Sequence, residues 1–311
     1  MSVRDDFLAG RPMAQPVIDV HTHLPPRDLF YRASGESRWH IPTIGSWQQH
    51  ETCPNLAGIV RHMDRLGIGK AFSFVNGFER LDEGFECVRR YPGRLLPTIS
   101  FWPGMGKEDE GQTTSPGGRR VPDSPRELRE VLELVHKKGW RGIKLWDPQS
   151  PQPLTWLYEG VLGFAHENRL IVVHHSWGPA STLDRLAADY PRVTFIMGHV
   201  LGSRQSIESF VPVFRRRPNV FASTTNSRHP GTIEAMVEML GSERVVMGTD
   251  SILHTMEFSI GNIAYARISD EARRRILGIN IKEVLTGLGY WNVWGYDPSA
   301  RLATGQFRGS N

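Results

Sequence analysis

Val17-Ile18-Asp19-Val20-His21-Thr22-His23 is an apolar, β-branched run that ends in a His-x-His pair. Alternate side chains of a strand share a face, so His21 and His23 point the same way from the strand's C-terminal end. Two imidazoles so placed can bind one divalent metal ion. Taken alone the pair also fits structural histidines, and its weight comes from the pattern that follows.

Seven further runs of the same kind succeed it: Ala71–Val75, Leu95–Phe101, Gly142–Trp146, Leu170–His175, Val193–Met197, Val220–Thr224 and Val245–Gly248. They are short, apolar and rich in β-branched residues, as strands buried on both faces should be. Helical stretches are expected between them, near 56–66, 79–90, 124–138, 154–167, 181–189, 204–216, 231–240 and 270–288. The clearest begins at Ser124-Pro125-Arg126-Glu127. There Ser124 caps, Pro125 suits the first helical position and Glu127 completes a capping box. Leu128, Val131, Leu132 and Val135 then form an apolar stripe, and Gly139 stops the helix. Strand–helix alternation repeated eight times predicts a parallel sheet closed into a (β/α)8 TIM barrel, with an open doubly wound sheet as the alternative. The expectation is one domain over 1–311, with a core at about 16–288 and an extension from about 290.

The 311-residue length suits such a barrel with insertions. With 39% hydrophobic and 23% charged residues the composition is that of a globular chain able to bury a core. A net charge of +4, with basic runs only at Arg215–Arg217 and Arg273–Arg275, argues against nucleic acid as a partner. Two cysteines, Cys53 and Cys87, make no disulfide framework. The N-terminus has no apolar leader-like segment and no long apolar stretch follows, so a soluble, cytoplasmic protein with no membrane partner is expected. Two long connections, about 24–53 and 102–123, fall on the strand-to-helix side where barrel sites are built. The first, with Trp39, His40 and Trp47, is expected to form an ordered wall. The tail, with Trp291, Trp294 and Tyr296, either packs on the barrel bottom or hangs free.

Chemistry-bearing residues gather at the strand tips. His174-His175 ends the fifth run, His199 follows the sixth, and Asp250 follows the eighth. Apolar residues precede each of them. A cluster so buried needs a metal or mutual pairing to offset desolvation. Lys144 ends the fourth run.

The order Asp-x-His-x-His, His174-His175-Ser176-Trp177-Gly178, Phe195-Ile196-Met197-Gly198-His199-Val200-Leu201-Gly202 and Val245-Val246-Met247-Gly248-Thr249-Asp250 resembles the amidohydrolase superfamily. More narrowly it is similar to the amidohydrolase-related (amidohydrolase 2) group, which includes aminocarboxymuconate-semialdehyde decarboxylase-like proteins and several lactonases. Asn280-Ile281-Lys282-Glu283-Val284-Leu285 resembles that group's closing helix, so the likeness spans about 16–288. It implies His21, His23, the fifth-strand histidine and Asp250 as ligands of one divalent ion per chain, Zn2+ first and Mn2+ second. It also implies His199 as the catalytic histidine that polarises the substrate, or as ligand to a second metal. The group's His-x-Gly or His-x-Trp pattern fits His175-Ser176-Trp177, and alternation then puts Val173 inside with His175 and His174 outside. Lys144 stands where binuclear members carry a carboxylated lysine. Unmodified, it would bind an anionic substrate.

Trp146, Trp177 and Trp102 are expected as aromatic pocket walls, with rim packing as their alternative, and Arg228, His229 and His254 as loop residues within reach of substrate. The implied function is hydrolysis of a lactone, amide or related carbonyl bond in a small molecule, with Asp250 shuttling the proton of metal-activated water. Non-oxidative decarboxylation of an unsaturated or aromatic acid on the same scaffold is the alternative, and a non-catalytic binding barrel the third. A polymerase-and-histidinol-phosphatase type barrel also opens with Asp-x-His-x-His, but it needs more acidic ligands than this chain offers. A homodimer is among the open oligomeric states.

Overall fold

The computed structural model describes residues 2–13, 16–25, 37–40, 50–53, 55–77, 80–101, 122–145, 155–199, 202–251 and 254–296. A short helix α1 (Val3–Leu8) precedes strand β1 (Val17–His23). An antiparallel pair, β2 (Ser37–His40) and β3 (His50–Cys53), then leads into α2 (Leu56–Leu66) and β4 (Ile68–Asn76). From there strand and helix alternate: α3 (Leu81–Arg90), β5 (Leu95–Phe101), α4 (Pro125–Lys137), β6 (Gly142–Leu145), α5 (Thr155–Asn168), β7 (Ile171–His174) and α6 (Ala180–Asp189). The second half continues with β8 (Thr194–Met197), α7 (Arg204–Arg216), β9 (Val220–Ser223), α8 (Thr232–Leu240), β10 (Val245–Val246), α9 (Met256–Tyr265), α10 (Asp270–Arg274) and α11 (Asn280–Gly287).

Eight parallel strands form one sheet in the order β1-β4-β5-β6-β7-β8-β9-β10. The Val20 N–H donates to Met247 O at 2.9 Å and the Asp250 N–H to His21 O at 2.8 Å, so the last strand returns to the first and the sheet is a (β/α)8 barrel. Alternation divides the apolar residues into two clusters, as a sheet covered on both faces requires. Val172, Phe195, Ala222 and their neighbours pack outward against the helices. Ile18, Val20, Phe72, Phe74, Leu96, Ile171, Val173, Ile196 and Val246 fill the barrel.

The tail closes the bottom. Trp294 is fully buried, its ring centroid 4.4 Å from that of Phe72, and its indole N–H donates to Pro97 O at 3.0 Å. Tyr290 joins the inner cluster, and its hydroxyl donates to Asn168 O at 2.8 Å. Gly142 makes room for this plug: a Cβ there would lie 2.6 Å from the Trp294 ring.

Ser124 accepts the Glu127 N–H at 3.2 Å, as expected of a cap, but the Glu127 carboxylate takes the Asp123 N–H at 2.7 Å, one residue earlier than a capping box requires. The stretch 270–288 is helical, with one wide π turn over Arg275–Ile279. Ile276 O in that turn accepts the Met247 N–H at 2.9 Å, tying the last helix to the last strand. Helices α1 and α9 were not expected. In α9, Ile260, Ile263 and Ala264 are buried while Phe258 and Tyr265 are exposed, so apolar residues spread round it and leave no clean stripe to read. Of the two long connections, the β2–β3 ladder is described in the first, while 41–49 and 102–121 lie outside the described residues. No described helix is long and apolar enough to cross a membrane.

Candidate active site

The two histidines of β1 reach the barrel's mouth through a local irregularity. Ile18 and Val20 face inward, and simple alternation would send His21 and His23 out among the helices. Between Asp19↔Ala71 and Thr22↔Ser73, however, β1 takes one more residue than β4. A bulge of this kind re-aims the side chains beyond it. His21 and His23 therefore turn inward directly above Val20, both edge-on to Phe74 with ring centroids at 4.7 and 5.4 Å.

Asp250 meets them from just beyond the last strand. Its backbone is left-handed, with φ of 60°, and its N–H is held by His21 O. Such a conformation costs energy in a non-glycine residue and marks a place where the fold fixes a side chain against local preference. Asp250 Oδ1 lies 3.1 Å from His23 Nε2 and 3.3 Å from His21 Nε2, and Oδ2 lies 3.7 Å from His254 Nε2 and 3.8 Å from His199 Nε2. His199 Nε2 is 3.4 Å from His21 Nε2. The ring of His175 stacks on that of His199 at 4.0 Å and 20°.

Electrostatics sorts these groups into two protonation states. Burial, reinforced by the Lys144 charge, holds His21 well below the usual imidazole range and lowers His175 to about 4. Burial outweighs the pull of Asp250 and brings His199 to about 3. For Asp250 burial acts upward, but the hydrogen bonds from His21 and His23 prevail and keep its carboxyl well below the usual range. At neutral pH the Asp250 carboxylate therefore faces the neutral imidazoles of His21, His175 and His199.

That donor set fits a divalent cation. Ligand atoms of His21, His199 and Asp250 all lie within 4.8 Å of one another, and His23 shares the same Asp250 oxygen as His21. Neutral imidazole nitrogen and carboxylate oxygen are the donors that zinc and manganese take. His199 thus stands inside the convergent group rather than apart from it, while His175 lies beside it through the stacked ring.

His174 points the other way. Its Nδ1 accepts the Ser176 N–H at 3.0 Å, its Nε2 meets the Tyr158 hydroxyl at 2.9 Å, and its ring lies on Trp177 at 4.3 Å. Trp177 is no wall of the pocket. It is 3% exposed in the helix-facing layer, its indole N–H donating to Ile196 O at 3.3 Å, because the chain turns outward after His175 and carries the indole behind the strand. Lys144 is fully buried and faces inward, its Nζ 5.2 Å above the Phe74 ring. Arg228 and His229 are exposed at the rim, and the Arg228 guanidinium contacts His254. Trp102 and Trp146 lie outside the described residues.

Asp19 was read only as part of the motif, and the structure gives it a separate place. It is fully buried beneath the histidines and accepts hydrogen bonds from the backbone N–H groups of His21 (2.9 Å) and Thr249 (3.0 Å) and from the Thr22 and Thr249 hydroxyls (2.7 and 2.5 Å). Burial raises its carboxyl to about 6 against these bonds. Gly248 lets the strands close here, since a Cβ would fall 2.5 Å from Ser223 Oγ and 3.0 Å from His21 Cβ. His254 was expected as a loop residue within reach of substrate, without a link to Asp250. Its placement beside Asp250, four residues on, follows from the turn in which its N–H donates to Asp250 O at 3.1 Å.

The model of the amidohydrolase family Amidohydro_2 matches residues 115–286, more than half of the chain. No curated protein matches. Among solved structures, the 2,6-dihydroxybenzoate decarboxylase from Rhizobium superposes with a TM-score of 0.59 at 14% identity, over 88% of this chain and 99% of that one. A dihydroxybenzoic acid decarboxylase from Polaromonas sp. JS666, with bound manganese and the inhibitor 2-nitroresorcinol, gives 0.58 at 14% identity over 88% and 97%. The 5-carboxyvanillate decarboxylase from Novosphingobium aromaticivorans, complexed with manganese and 4-hydroxy-3-methoxy-5-nitrobenzoic acid, gives 0.56 at 12% identity over 88% and 96%. At these identities the shared property is the fold.

Proposed function

Since the chain belongs to the amidohydrolase family, we propose that it is a metal-dependent hydrolase that opens a carbonyl bond, a lactone or amide, in a small anionic molecule. The observation that carries this reading is the Asp250 carboxylate, ionised and ringed by the Nε2 atoms of His21, His23, His199 and His254 within 3.8 Å. His21, His23, His175 and Asp250 would hold one divalent ion, with His199 close enough to join them or to face the substrate. Zinc suits the nitrogen-rich set, and the manganese of the solved relatives makes that ion the second choice. A bound ion supplies Lewis acidity, polarising the carbonyl and lowering the pKa of water toward neutrality. Asp250, held ionised, accepts the proton of the attacking water and returns it to the leaving group. His199, neutral and partly open to the mouth, donates a hydrogen bond to the carbonyl oxygen. Lys144 draws the substrate's anionic group toward the Phe74 floor and orients the bond to be broken.

A second reading, decarboxylation of a small aromatic or unsaturated acid, is favoured by the chemistry of the solved relatives and by the buried Lys144 ammonium, which suits a carboxylate. The test is turnover of lactone, amide and aromatic-acid panels by metal-reconstituted protein in 18O-labelled water. Label in the product with no carbon dioxide supports hydrolysis. Carbon dioxide with unlabelled product replaces it by the second reading. Asp250→Asn should lower kcat by about 10²–10⁴-fold while metal stays bound, and unchanged turnover would remove Asp250 from its role.

A further inference from the structure

Three residues that face the barrel's mouth sit on the strands between His23 and His175. Asn76 pairs in register with Ser100, and Ser100 with Lys144, so one row crosses the tips of β4, β5 and β6. All three face inward. Phe72 and Phe74 fill the barrel four and two residues before Asn76, Leu96 does so four residues before Ser100, and Lys144 lies over the Phe74 ring. The histidines and Asp250 come from β1, from the ends of β7 and β8, and from beyond β10. The row therefore occupies the arc of wall that the metal-type residues leave.

Its chemistry is that of recognition. Lys144 brings an ammonium, Ser100 a hydroxyl, and Asn76 a carboxamide, and Ser100 and Lys144 are 1% and 0% exposed. Asn76 Oδ1 is buried with no hydrogen-bond partner among the described residues. Leaving a buried acceptor unmatched costs stability, and sites that bind polar ligands are where folds keep such groups. Asn76 stands two residues beyond Phe74, whose register partner is His23, so it lies one layer above the level of His23.

We infer that Asn76, Ser100 and Lys144 form the substrate-recognition row, taking a small carboxylic acid that carries a hydroxyl or N–H donor beside its carboxylate. Lys144 and Ser100 receive the carboxylate, and Asn76 Oδ1 accepts the donor. Asn76 is then the specificity-determining residue, because a site with a fixed buried acceptor rejects an analogue that lacks the matching donor. The inference rests on reading this mouth as the substrate's site, but it requires no particular reaction there.

The probes are benzoate, its three monohydroxy isomers and the corresponding methoxybenzoates, titrated calorimetrically against the full-length protein, with and without added zinc. The 2-hydroxy isomer should bind at least about tenfold more tightly than benzoate, than the other two isomers and than its methoxy counterpart. Asn76→Leu should abolish that preference, and its thermal midpoint should hold or rise, because a buried unmatched acceptor is removed. Asn76→Asp, which keeps the acceptor, should retain the preference and serves if the leucine variant fails to fold. Lys144→Met should weaken all the acids alike. A preference that survives Asn76→Leu, a preference for the methoxy compounds, or no binding of any benzoate by the wild type would each overturn the inference. A preference that behaves as expected in a protein that turns over none of the panels would leave the row standing and remove the hydrolytic reading.

Discussion

The carboxylate of Asp19 takes both the backbone N–H and the hydroxyl of Thr249, at 3.0 and 2.5 Å, across 230 residues of chain. It also takes the His21 N–H, so one buried side chain ties the strand tip bearing His21 and His23 to the turn bearing Asp250. The first residue of the Asp-x-His-x-His motif is thus the seam of the barrel, and the spacing of the candidate ligands is set from below.

Asp19→Ala should therefore loosen fold and site together. Hydrogen bonds to a charged group are worth about 1.5–3 kcal/mol each when a buried partner is stranded, and they are not additive. A loss on the order of 3–5 kcal/mol is expected in urea unfolding. Metal affinity should fall in the same variant under conditions where it remains folded. Wild-type stability in Asp19→Ala would mean that the backbone closes the barrel unaided.

Acidification of the metal-free protein should destabilise it. His175 and His199 fall from a usual value of 6.5 to about 4 and about 3 in the fold, so their contribution is present above pH 6.5 and is lost as pH falls through those values. Asp19 acts oppositely: raised from 3.8 to about 6, its contribution is present below pH 3.8 and is lost as pH rises through 6. The two imidazoles outweigh the one carboxyl. A shift of one unit corresponds to about 1.4 kcal/mol, so the net loss between pH 7 and pH 4 should reach a few kcal/mol. Thermal midpoints across that range check it, and a midpoint that climbs toward pH 5 would give Asp19 the larger share.

Chelation should lower both activity and stability. An ion present at about a thousand times its dissociation constant adds about 4 kcal/mol to the folded state. Elemental analysis should find one zinc or manganese per chain, lost in the His21→Ala/His23→Ala double variant. Two ions per chain would point to a bridging, carboxylated Lys144. A wild type that takes up no metal even on reconstitution would end the metal-dependent reading.

Trp294→Ala should cost about 3–5 kcal/mol, the range for emptying a fully buried tryptophan site. Gly142→Val should be similarly harmful from the opposite side, because its side chain would enter the space held by the indole. A double variant carrying both changes should recover part of the loss. Additive losses would show that the two positions do not share one cavity.

The strands were legible because each is a short apolar run bounded by turn residues, and their tips offered His21, His23, the His174-His175 pair, His199, Lys144 and Asp250 as candidates. What escaped the sequence depends on three-dimensional proximity. The β1 bulge changes which residues face inward, yet Val20 and His21 are simply neighbours in the chain. The partners of Asp19 lie at the far end of the sequence. Asn76 and Ser100 carry no motif, and only the register sets them beside Lys144. Trp177 misled for the opposite reason: an aromatic residue just past a strand tip looks like a wall until the outward turn after His175 is seen.

Among the described residues, the Trp294 and Tyr290 plug makes the barrel a blind well. Whatever reaches the floor at Phe74 must leave by the doorway through which it came, so a bulky product blocks the next arrival until it departs. Traffic through that doorway, rather than bond-breaking at the floor, would then set the pace whenever product lingers, and inhibition by product should be competitive with substrate.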